Sequence, residues 1–255
     1  MIHPTAIISD GAEIHPSVEI APYAIIEDNV KIGEGCKIGS TALIASGARL
    51  SKNVKIGHGA IIATEPQDLK FEGEETLANI GENTVVREYA TINRGTNESG
   101  STDVGRDCLI MTYAHVAHDC KLGDHIIMSN SVNLAGHVHI DDWAIISGLV
   151  PVHQFVHIGA HTIIGGGFRV PQDVVPYSLM GGYPLKVIGL NNVGLQRRGF
   201  SPEAIDALKK VFKILFRSGL NLSQALKKAR EEAEITVEVE NVLSFIENSE
   251  RGVIR

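Results

Sequence analysis

Residues 14–32 read IHPSVEIAPYAIIEDNVKI, with an aliphatic residue at every sixth position and a small apolar residue four places after each one. This spacing does not fit a helix, in which apolar residues recur at intervals of three and four. The same period continues, with two interruptions, from Ile2 to Val170. A hexapeptide period is the sequence signature of a parallel β-helix, in which short strands form flat faces.

Three hexapeptides make one triangular coil of 18 residues, and coils stack about 4.8 Å apart through strand hydrogen bonds. Residues 18 apart therefore lie in one column. Solenoids with this repeat resemble the left-handed β-helix family, and the handedness is implied by that resemblance because the general crossover rule favours the opposite hand. The sequence thus predicts a mainly β protein with a left-handed parallel β-helix over residues 1–190.

The repeat stops at about residues 65–79 and again at about 95–103. Insertions in a solenoid become loops on one edge, frequently on the binding face, although both are also compatible with tolerated surface insertions. Beyond Pro176 the pattern dissolves, and residues 177–199 are predicted to be irregular. Ser201-Pro202-Glu203 then signals a helix start, and amphipathic stretches follow at about 223–234 and 237–248. We therefore predict a small α-helical C-terminal domain over residues 191–255.

Composition excludes several function classes. A hydrophobic fraction of 44% and a charged fraction of 21% are those of a soluble globular protein, and a net charge of −7 gives no reason to expect nucleic-acid binding. No apolar run approaches the length of a membrane span. Three cysteines do not form a disulfide framework and indicate a reducing cytoplasm. All three fall at the fifth hexapeptide position, which predicts that they fill the core.

The histidines avoid the inward positions of the repeat, so those in the solenoid should point outward. Column counting places His118, Gly136 and Gln154 on successive coils and puts Asp119 beneath His137. An aspartate can orient an imidazole, and a glycine beside it offers an unobstructed N–H for an oxyanion. This patch, with His153, is a candidate site. The isolated histidines are interpreted as ordinary surface residues; they are His3, His15, His58, His139 and His161.

Several segments resemble one family when they are taken together. They are AHVAHDC at 114–120, LAGH at 134–137, VHQF at 152–155, PQDLK at 66–70 and QRRGFS at 196–201. The combination resembles the acyl-ACP:UDP-N-acetylglucosamine O-acyltransferases, which carry out the first step of lipid A synthesis. The resemblance covers essentially the whole chain, whereas hexapeptides alone are shared with acetyltransferases, sugar transferases and γ-class carbonic anhydrases.

The resemblance implies that His118 is the general base, which takes a proton from the glucosamine 3-hydroxyl as that oxygen attacks an acyl thioester. It implies that Asp119 orients His118 and that the Gly136 N–H stabilises the oxyanion. The substrate-binding residues that it implies are Asp68, Lys70, His115, His137, His153, Gln154, Gly166, Asn191, Arg197 and Arg198. Of these, Asp68 and Lys70 are expected to come from a neighbouring subunit, and the arginines suit a diphosphate.

Two further positions bear on specificity. Gly166 matches the position that acts as a hydrocarbon ruler in the family, and a glycine there implies an open channel for a longer acyl chain. Val193 stands where some members of the family carry an acidic residue, so the detail of the ribose contact stays open. The acyl length, its hydroxylation, and the choice between a 3-hydroxyl and a 3-amino nucleophile stay open.

The segment 197–230 is basic, with nine Lys/Arg against two acidic residues, a net of +7 on a chain of −7. A basic helical surface on an acidic protein indicates an acidic partner, and acyl carrier protein is acidic as a class. The predicted docking residues are Lys209, Lys210, Lys213 and Arg217, although a solvated helix face would look similar. The family also implies a homotrimer with active sites between subunits, and no metal or other cofactor.

Two other interpretations remain. Outward histidines could form a zinc site like that of a γ-class carbonic anhydrase, which stoichiometric metal would indicate. A solenoid that serves only as an assembly scaffold would need the His118 patch to be coincidental. Full turnover by a His118→Ala variant would support that second interpretation.

Overall fold

Short parallel strands form three flat sheets that wind around one axis. The computed structural model describes all 255 residues, Met1–Arg255. Numbered in chain order, the strands of the first face are β1 Ile7–Ile8, β4 Ile25–Ile26, β7 Leu43–Ile44, β10 Ile61–Thr64, β13 Thr91–Asn93, β16 His115–Val116, β19 Asn133–Leu134 and β22 Pro151–Val152. Those of the second face are β2 Glu13–Ile14, β5 Lys31–Ile32, β8 Ala48–Leu50, β11 Leu77–Ile80, β14 Ser101–Val104, β17 Lys121–Leu122, β20 His139–Ile140 and β23 His157–Ile158. Those of the third face are β3 Glu19–Ile20, β6 Lys37–Ile38, β9 Lys55–Ile56, β12 Val85–Val86, β15 Leu109–Ile110, β18 Ile127–Met128, β21 Ile145–Ile146, β24 Ile163–Ile164, β25 Ser178–Gly181 and β26 Lys186–Leu190.

Strand register confirms the predicted parallel β-helix. Cα partners on adjacent coils are separated by three hexapeptides, as Ile7 and Ile25 are. Across the first insertion Ile61 pairs with Thr91, and across the second Thr91 pairs with His115. The first insertion therefore lengthens its coil by the equivalent of two hexapeptides, and the second by one. Both loops are shorter than predicted, 65–76 and 94–100, because β11 and β14 pair with each other over their full length.

The interior is filled by the residues at the first and fifth hexapeptide positions. Aliphatic side chains such as Ile26, Ile44 and Ile62 are fully buried, and Ala or Val occupies the tighter fifth position. Cys36, Cys108 and Cys120 are free and buried, as predicted. Burial raises the pKa of the Cys120 thiol to about 12, so this cysteine packs as a small apolar group rather than acting as a nucleophile.

The coils turn at three corners, and from Tyr23 onward most of these corners carry a residue with a left-handed backbone. At the first corner, between the first and second faces, these residues are Asp119, His137 and Phe155, each with φ of 61°. The second corner, between the second and third faces, carries His125, Trp143 and His161. The third corner, between the third and first faces, carries Tyr113, Ser131, Leu149 and Gly167. Non-glycine residues adopt this conformation at a cost of roughly 1–2 kcal/mol each, which the burial of the intervening aliphatic residues offsets.

The segment after Pro176 is more regular than predicted. Residues 178–190 form the antiparallel hairpin β25–β26, which extends the third face beyond β24. The helices are α1 Asn192–Arg197, α2 Pro202–Arg217, α3 Leu222–Glu232 and α4 Val237–Asn248. Side chains of Asn191, Ser201, Asn221 and Thr236 cap their first turns.

The helices share one core with the β-helix, since a single cluster of buried apolar residues runs from Val18 to Ile254. The C-terminal segment returns to the solenoid, where Val253 bridges to Asp173. The end of the last coil is thus covered by the chain's own helical segment. None of the helices combines the length and apolar character that a membrane crossing requires.

Candidate active site

The first corner brings the predicted histidine patch together. The His137 ring stacks on Phe155 one coil above, with ring centroids 4.5 Å apart. The His118 ring meets His137 edge to face at 5.1 Å. The backbone N–H of His137 donates to the His118 carbonyl, so these rings are held by the coil ladder itself. The column arithmetic of the sequence therefore places these side chains correctly.

Asp119 is the anchor of the patch. Its carboxylate is buried and accepts hydrogen bonds from the Thr96 N–H at 2.9 Å, the Thr96 hydroxyl at 2.8 Å and the Ser99 hydroxyl. His118 Nδ1 lies 2.7 Å from Asp119 Oδ2. Burial acts to raise the pKa of this carboxyl, but the hydrogen bonds from Ser99, His118 and Thr96 outweigh it and lower the pKa to about 2. Asp119 is therefore ionised at neutral pH and fixes the His118 ring.

Thr96 and Ser99 were not anticipated from the sequence. Both lie on the second insertion, which could equally have been a tolerated surface loop. Instead the loop closes over Asp119 and supplies three of its hydrogen bonds. A Thr-x-x-Ser segment has no distinctive pattern, so only its proximity to the corner reveals its role.

Gly136 sits directly above the His118 ring. A Cβ atom on Gly136 would lie 2.6 Å from His118 Cε1 and 2.7 Å from Nε2, so only glycine leaves the ring in place. The residue is buried, and its N–H donates no hydrogen bond within the chain. Buried donors are nearly always satisfied in native proteins, so this free N–H beside an imidazole marks a position for an acceptor.

An open cleft of about 660 Å³ lies over the patch. It is lined by Gln67, Asp68, Leu69, Lys70, Glu74, Thr96, Asn97, Glu98, His118, His137, Gln154 and Phe155. Asp68 and Lys70 thus line the cleft on the same chain as His118, and the contribution expected from a neighbouring subunit stays a prediction. The first insertion is held over the cleft because Glu74 accepts from the Asn97 N–H and the Arg94 guanidinium packs on Phe71. Glu98, 3.6 Å from His137 Nε2, adds negative charge that the sequence did not reveal.

His115 and His153 do not line this cleft. His115 is half-buried on β16, and its Nδ1 lies 2.7 Å from the Thr91 hydroxyl. The pKa of His115 is lowered mainly by burial and, to a smaller extent, by the charge of nearby His118. His153 Nδ1 lies 2.8 Å from an Arg251 guanidinium nitrogen, so the C-terminal segment reaches this side of the corner. Both histidines flank the patch, and Arg251 is a neighbour that sequence reasoning missed.

The predicted nucleotide-binding residues gather at the second corner instead. Asn191 is buried, donates to the His161 carbonyl and caps α1. Arg198 packs on the Trp143 ring at 5.1 Å and donates to His161 Nδ1 at 3.2 Å, while Arg197 is exposed nearby on α1. The interpretation of His161 as an ordinary surface histidine is wrong, since it lies between Trp143, Tyr177 and Phe200. Burial and the Arg198 charge lower the pKa of His161 to about 4, which keeps it neutral.

The remaining predicted residues lie at two other places. Gly166 lies at the third corner, where an added Cβ would meet the Gly148 carbonyl at 3.1 Å. On α2, Lys209, Lys213 and Arg217 line a groove of about 190 Å³ whose floor includes Phe212 and Phe216. Lys210 is exposed on the same helix but does not line the groove. Within one chain, therefore, His118, Arg198 and Gly166 occupy three different corners.

A metal centre is the other arrangement that the patch could form. His118, Asp119 and His137 each offer a ligand atom within 4.8 Å of the others. Both Asp119 oxygens are already hydrogen-bond acceptors, and a metal would displace the contact with His118. The donor set suits a carboxylate–imidazole proton-transfer pair better than a zinc site with three free ligands.

Comparisons with protein families, curated sequences and solved structures all find similarity to UDP-N-acetylglucosamine acyltransferases. Residues 173–254 match the family described as UDP N-acetylglucosamine O-acyltransferase, domain 2, and residues 11–46 match bacterial transferase hexapeptide repeats. The acyl-[acyl-carrier-protein]–UDP-N-acetylglucosamine O-acyltransferase of Thiobacillus denitrificans is 49% identical over 255 residues, covering 100% of this chain and 99% of that protein. The UDP-N-acetylglucosamine acyltransferase structure from Bacteroides fragilis matches with a TM-score of 0.98 at 46% identity over the whole of both chains. That from Francisella novicida matches with a TM-score of 0.96 at 40% identity, over 100% of this chain and 94% of the other.

Proposed function

The chain belongs to the acyl-[acyl-carrier-protein]–UDP-N-acetylglucosamine O-acyltransferase family, and from this membership we propose that it transfers an acyl chain, with or without a 3-hydroxyl, from acyl carrier protein to the glucosamine 3-hydroxyl of UDP-N-acetylglucosamine. The family resemblance inferred from the sequence motifs is thereby confirmed. This reaction is the first step of lipid A synthesis. We place it in the cytoplasm, where reduced thiols such as those of the three free cysteines persist.

The observation that supports this activity best is the His118–Asp119 pair beneath the free Gly136 N–H. Ionised Asp119 accepts from Nδ1–H of His118, and in this tautomer of the neutral ring the acceptor lone pair is on Nε2 of a residue that lines the cleft. Nε2 takes the proton of the sugar hydroxyl as its oxygen bonds to the thioester carbonyl carbon. The resulting oxyanion accepts from the Gly136 N–H. The intermediate then expels the carrier's thiolate, which recovers the proton from His118.

The test compares the wild-type protein with His118→Ala, using UDP-N-acetylglucosamine and a ladder of acyl-ACPs, with products weighed and checked for an alkali-labile ester. Loss of a general base should reduce kcat by about 10²–10⁴-fold. An exposed residue outside the cleft supplies the matched control, His15→Ala, which should retain wild-type turnover. Full turnover by His118→Ala would contradict the role of His118 as the base. The absence of acyl transfer by the wild type would support a scaffold role, and retention of stoichiometric zinc with hydratase activity would support a carbonic anhydrase.

We further propose a homotrimer whose active sites lie between subunits. A sugar nucleotide cannot reach His118 at the first corner and Arg198 at the second corner of one chain without spanning the second face. Two copies with these corners apposed would bring both sets together. Light scattering should give a mass three times that of the 27.5 kDa chain. Mixing His118→Ala with Arg198→Ala chains should restore part of the activity that each variant lacks, and no restoration would contradict a shared site.

The carrier protein is proposed to dock on α2. The groove formed by Lys209, Lys213 and Arg217 over Phe212 and Phe216 combines positive charge with an apolar floor. Asp206 already pairs with Lys209 at 2.9 Å, but this exposed pair contributes little and is easily exchanged. The exposed Lys210 adds to the positive field that would steer an acidic carrier.

A further inference from the structure

A second histidine cluster lies on the second face, apart from the acyl-transfer patch. His139 and His157 are register partners on β20 and β23, and their rings stack with centroids 4.4 Å apart. Asp141 directly follows β20 and turns its carboxylate toward both rings. Its Oδ1 lies 2.9 Å from His157 Nε2 and 3.3 Å from His139 Nε2. Two ring nitrogens therefore converge on one carboxylate oxygen.

This convergence suits a metal ion better than a hydrogen-bonded pair. The three ligand atoms lie within 4.8 Å of one another, and the side chains are 52%, 31% and 35% exposed for His139, Asp141 and His157. Two imidazoles and one carboxylate are the donor set of zinc and its neighbours, whereas magnesium and calcium prefer oxygen ligands. Unlike Asp119, Asp141 accepts no hydrogen bond from a backbone or hydroxyl donor, so a cation would have to replace only its contacts with the two imidazole rings.

We propose that His139, Asp141 and His157 form a binding site for a divalent transition-metal ion of the Zn²⁺ type, distinct from the acyl-transfer corner. The partly exposed position leaves the remaining coordination sites to water. Lys121, on the coil below in the same column, is a positive charge that opposes binding, so the site depends on the full donor set. The proposal does not rest on the acyltransferase activity.

The site would strengthen the contact between the β-helix and the helical segment. The His157 ring packs on Phe245 of α4 at 4.6 Å, and the His157 backbone N–H donates to Asp173, whose other oxygen accepts from the Ser249 hydroxyl. A metal that fixes His157 therefore also fixes the surface on which α4 rests. Metal binding to the folded state alone raises stability by mass action.

The test titrates chelator-treated full-length protein with Zn²⁺ by calorimetry and with Co²⁺ by visible absorption. We expect one tight equivalent per chain, a rise in Tm with Zn²⁺, and Co²⁺ d–d bands. In the His139→Asn/His157→Asn variant the affinity should fall by more than about tenfold and the Tm rise should vanish. The Asp141→Asn variant should weaken binding while leaving both rings in place.

Two controls make the result specific. The exposed-histidine variant His15→Asn should bind like the wild type, and far-UV circular dichroism checks that each variant is folded. The His118→Asn variant should also bind one equivalent of Zn²⁺ tightly. Binding that survives in the double variant but is lost in His118→Asn would assign the ion to the acyl-transfer corner and overturn the proposal, as would the absence of any tight equivalent.

Discussion

Replacement of Gly136 by alanine tests the geometry of the active corner directly. The added Cβ would lie 2.6 Å from His118 Cε1 and 3.2 Å from Nδ1, whereas non-bonded carbons normally rest about 3.5–4.0 Å apart. The ring must therefore move by about 1 Å, and Asp119, fixed by Thr96 and Ser99, cannot follow it. A misplacement of this size costs about 10²-fold in rate, or about 2.7 kcal/mol of transition-state stabilisation.

The assay measures kcat and KM for UDP-N-acetylglucosamine with saturating acyl-ACP. We expect the loss to appear in kcat with little change in KM, because the perturbed group acts on the reacting proton rather than on the nucleotide. Overpacking should also reduce the free energy of unfolding by about 1–3 kcal/mol, so assays are run well below the Tm. The matched control is Gly189→Ala, whose Cβ would meet no atom within 4 Å and which should behave as wild type. A kcat for Gly136→Ala within threefold of wild type, in folded protein, would refute the assigned geometry.

Four further perturbations probe the anchor, the channel and the docking surface. The folded-state pKa of Asp119 is about 2, below its ordinary value of 3.8, so the ionised carboxylate stabilises the folded state by roughly 2 kcal/mol. This stabilisation is complete above pH 4 and is lost as pH falls through 2. In urea unfolding, the difference in stability between wild type and Asp119→Asn should therefore disappear over this pH interval. Ser99→Ala removes a hydrogen bond to a buried charge, so it should lower the free energy of unfolding by about 1.5–3 kcal/mol and reduce kcat, whereas an unchanged denaturation midpoint would argue that the loop does not hold Asp119. Gly166→Met should shift selectivity toward shorter acyl donors, and unchanged selectivity across the acyl ladder would remove the channel assignment. Lys209→Glu with Lys213→Glu should raise KM for acyl-ACP at low salt, an effect that about 0.5 M salt should largely abolish; a salt-independent KM would contradict electrostatic docking.

The sequence predicted the fold well because one physical constraint governs most of it. A six-residue period determines which side chains point inward, so the burial of Cys120 and the position of His137 beside His118 follow from counting. The same counting cannot describe departures from the period. The β25–β26 hairpin was missed because its residues follow no hexapeptide and its antiparallel pairing is set by contacts with β24.

Counting along the repeat predicted the candidate site only where it lies on the coils, and the positions of Asp68 and Lys70 on the first insertion came from the family resemblance instead. His118, Asp119 and Gly136 could be brought together by column counting, whereas Thr96 and Ser99 depend on how a loop folds back across the corner. The environment of His161 was misjudged for a related reason. Its position on the solenoid is outward, but the hairpin and α1, which carry no repeat, fold over it. The repeat determines whether a side chain points into or out of the solenoid, whereas the burial of an outward side chain depends on which segments pack over it.

The two insertions also have a consequence for how the chain finds its structure. Because the coils are nearly equal in length, a strand could pair with the wrong coil and still bury similar aliphatic residues. Such mispaired structures would be kinetic traps during folding. The steps from Ile61 to Thr91 and from Thr91 to His115 are longer than the regular step from Ile7 to Ile25, so a strand displaced by one coil there would force a loop into the ladder. The loops that close over Asp119 and its cleft thus also specify the register in which the coils stack. Deleting both loops should yield a chain that folds to several structures with shifted strand register rather than to one.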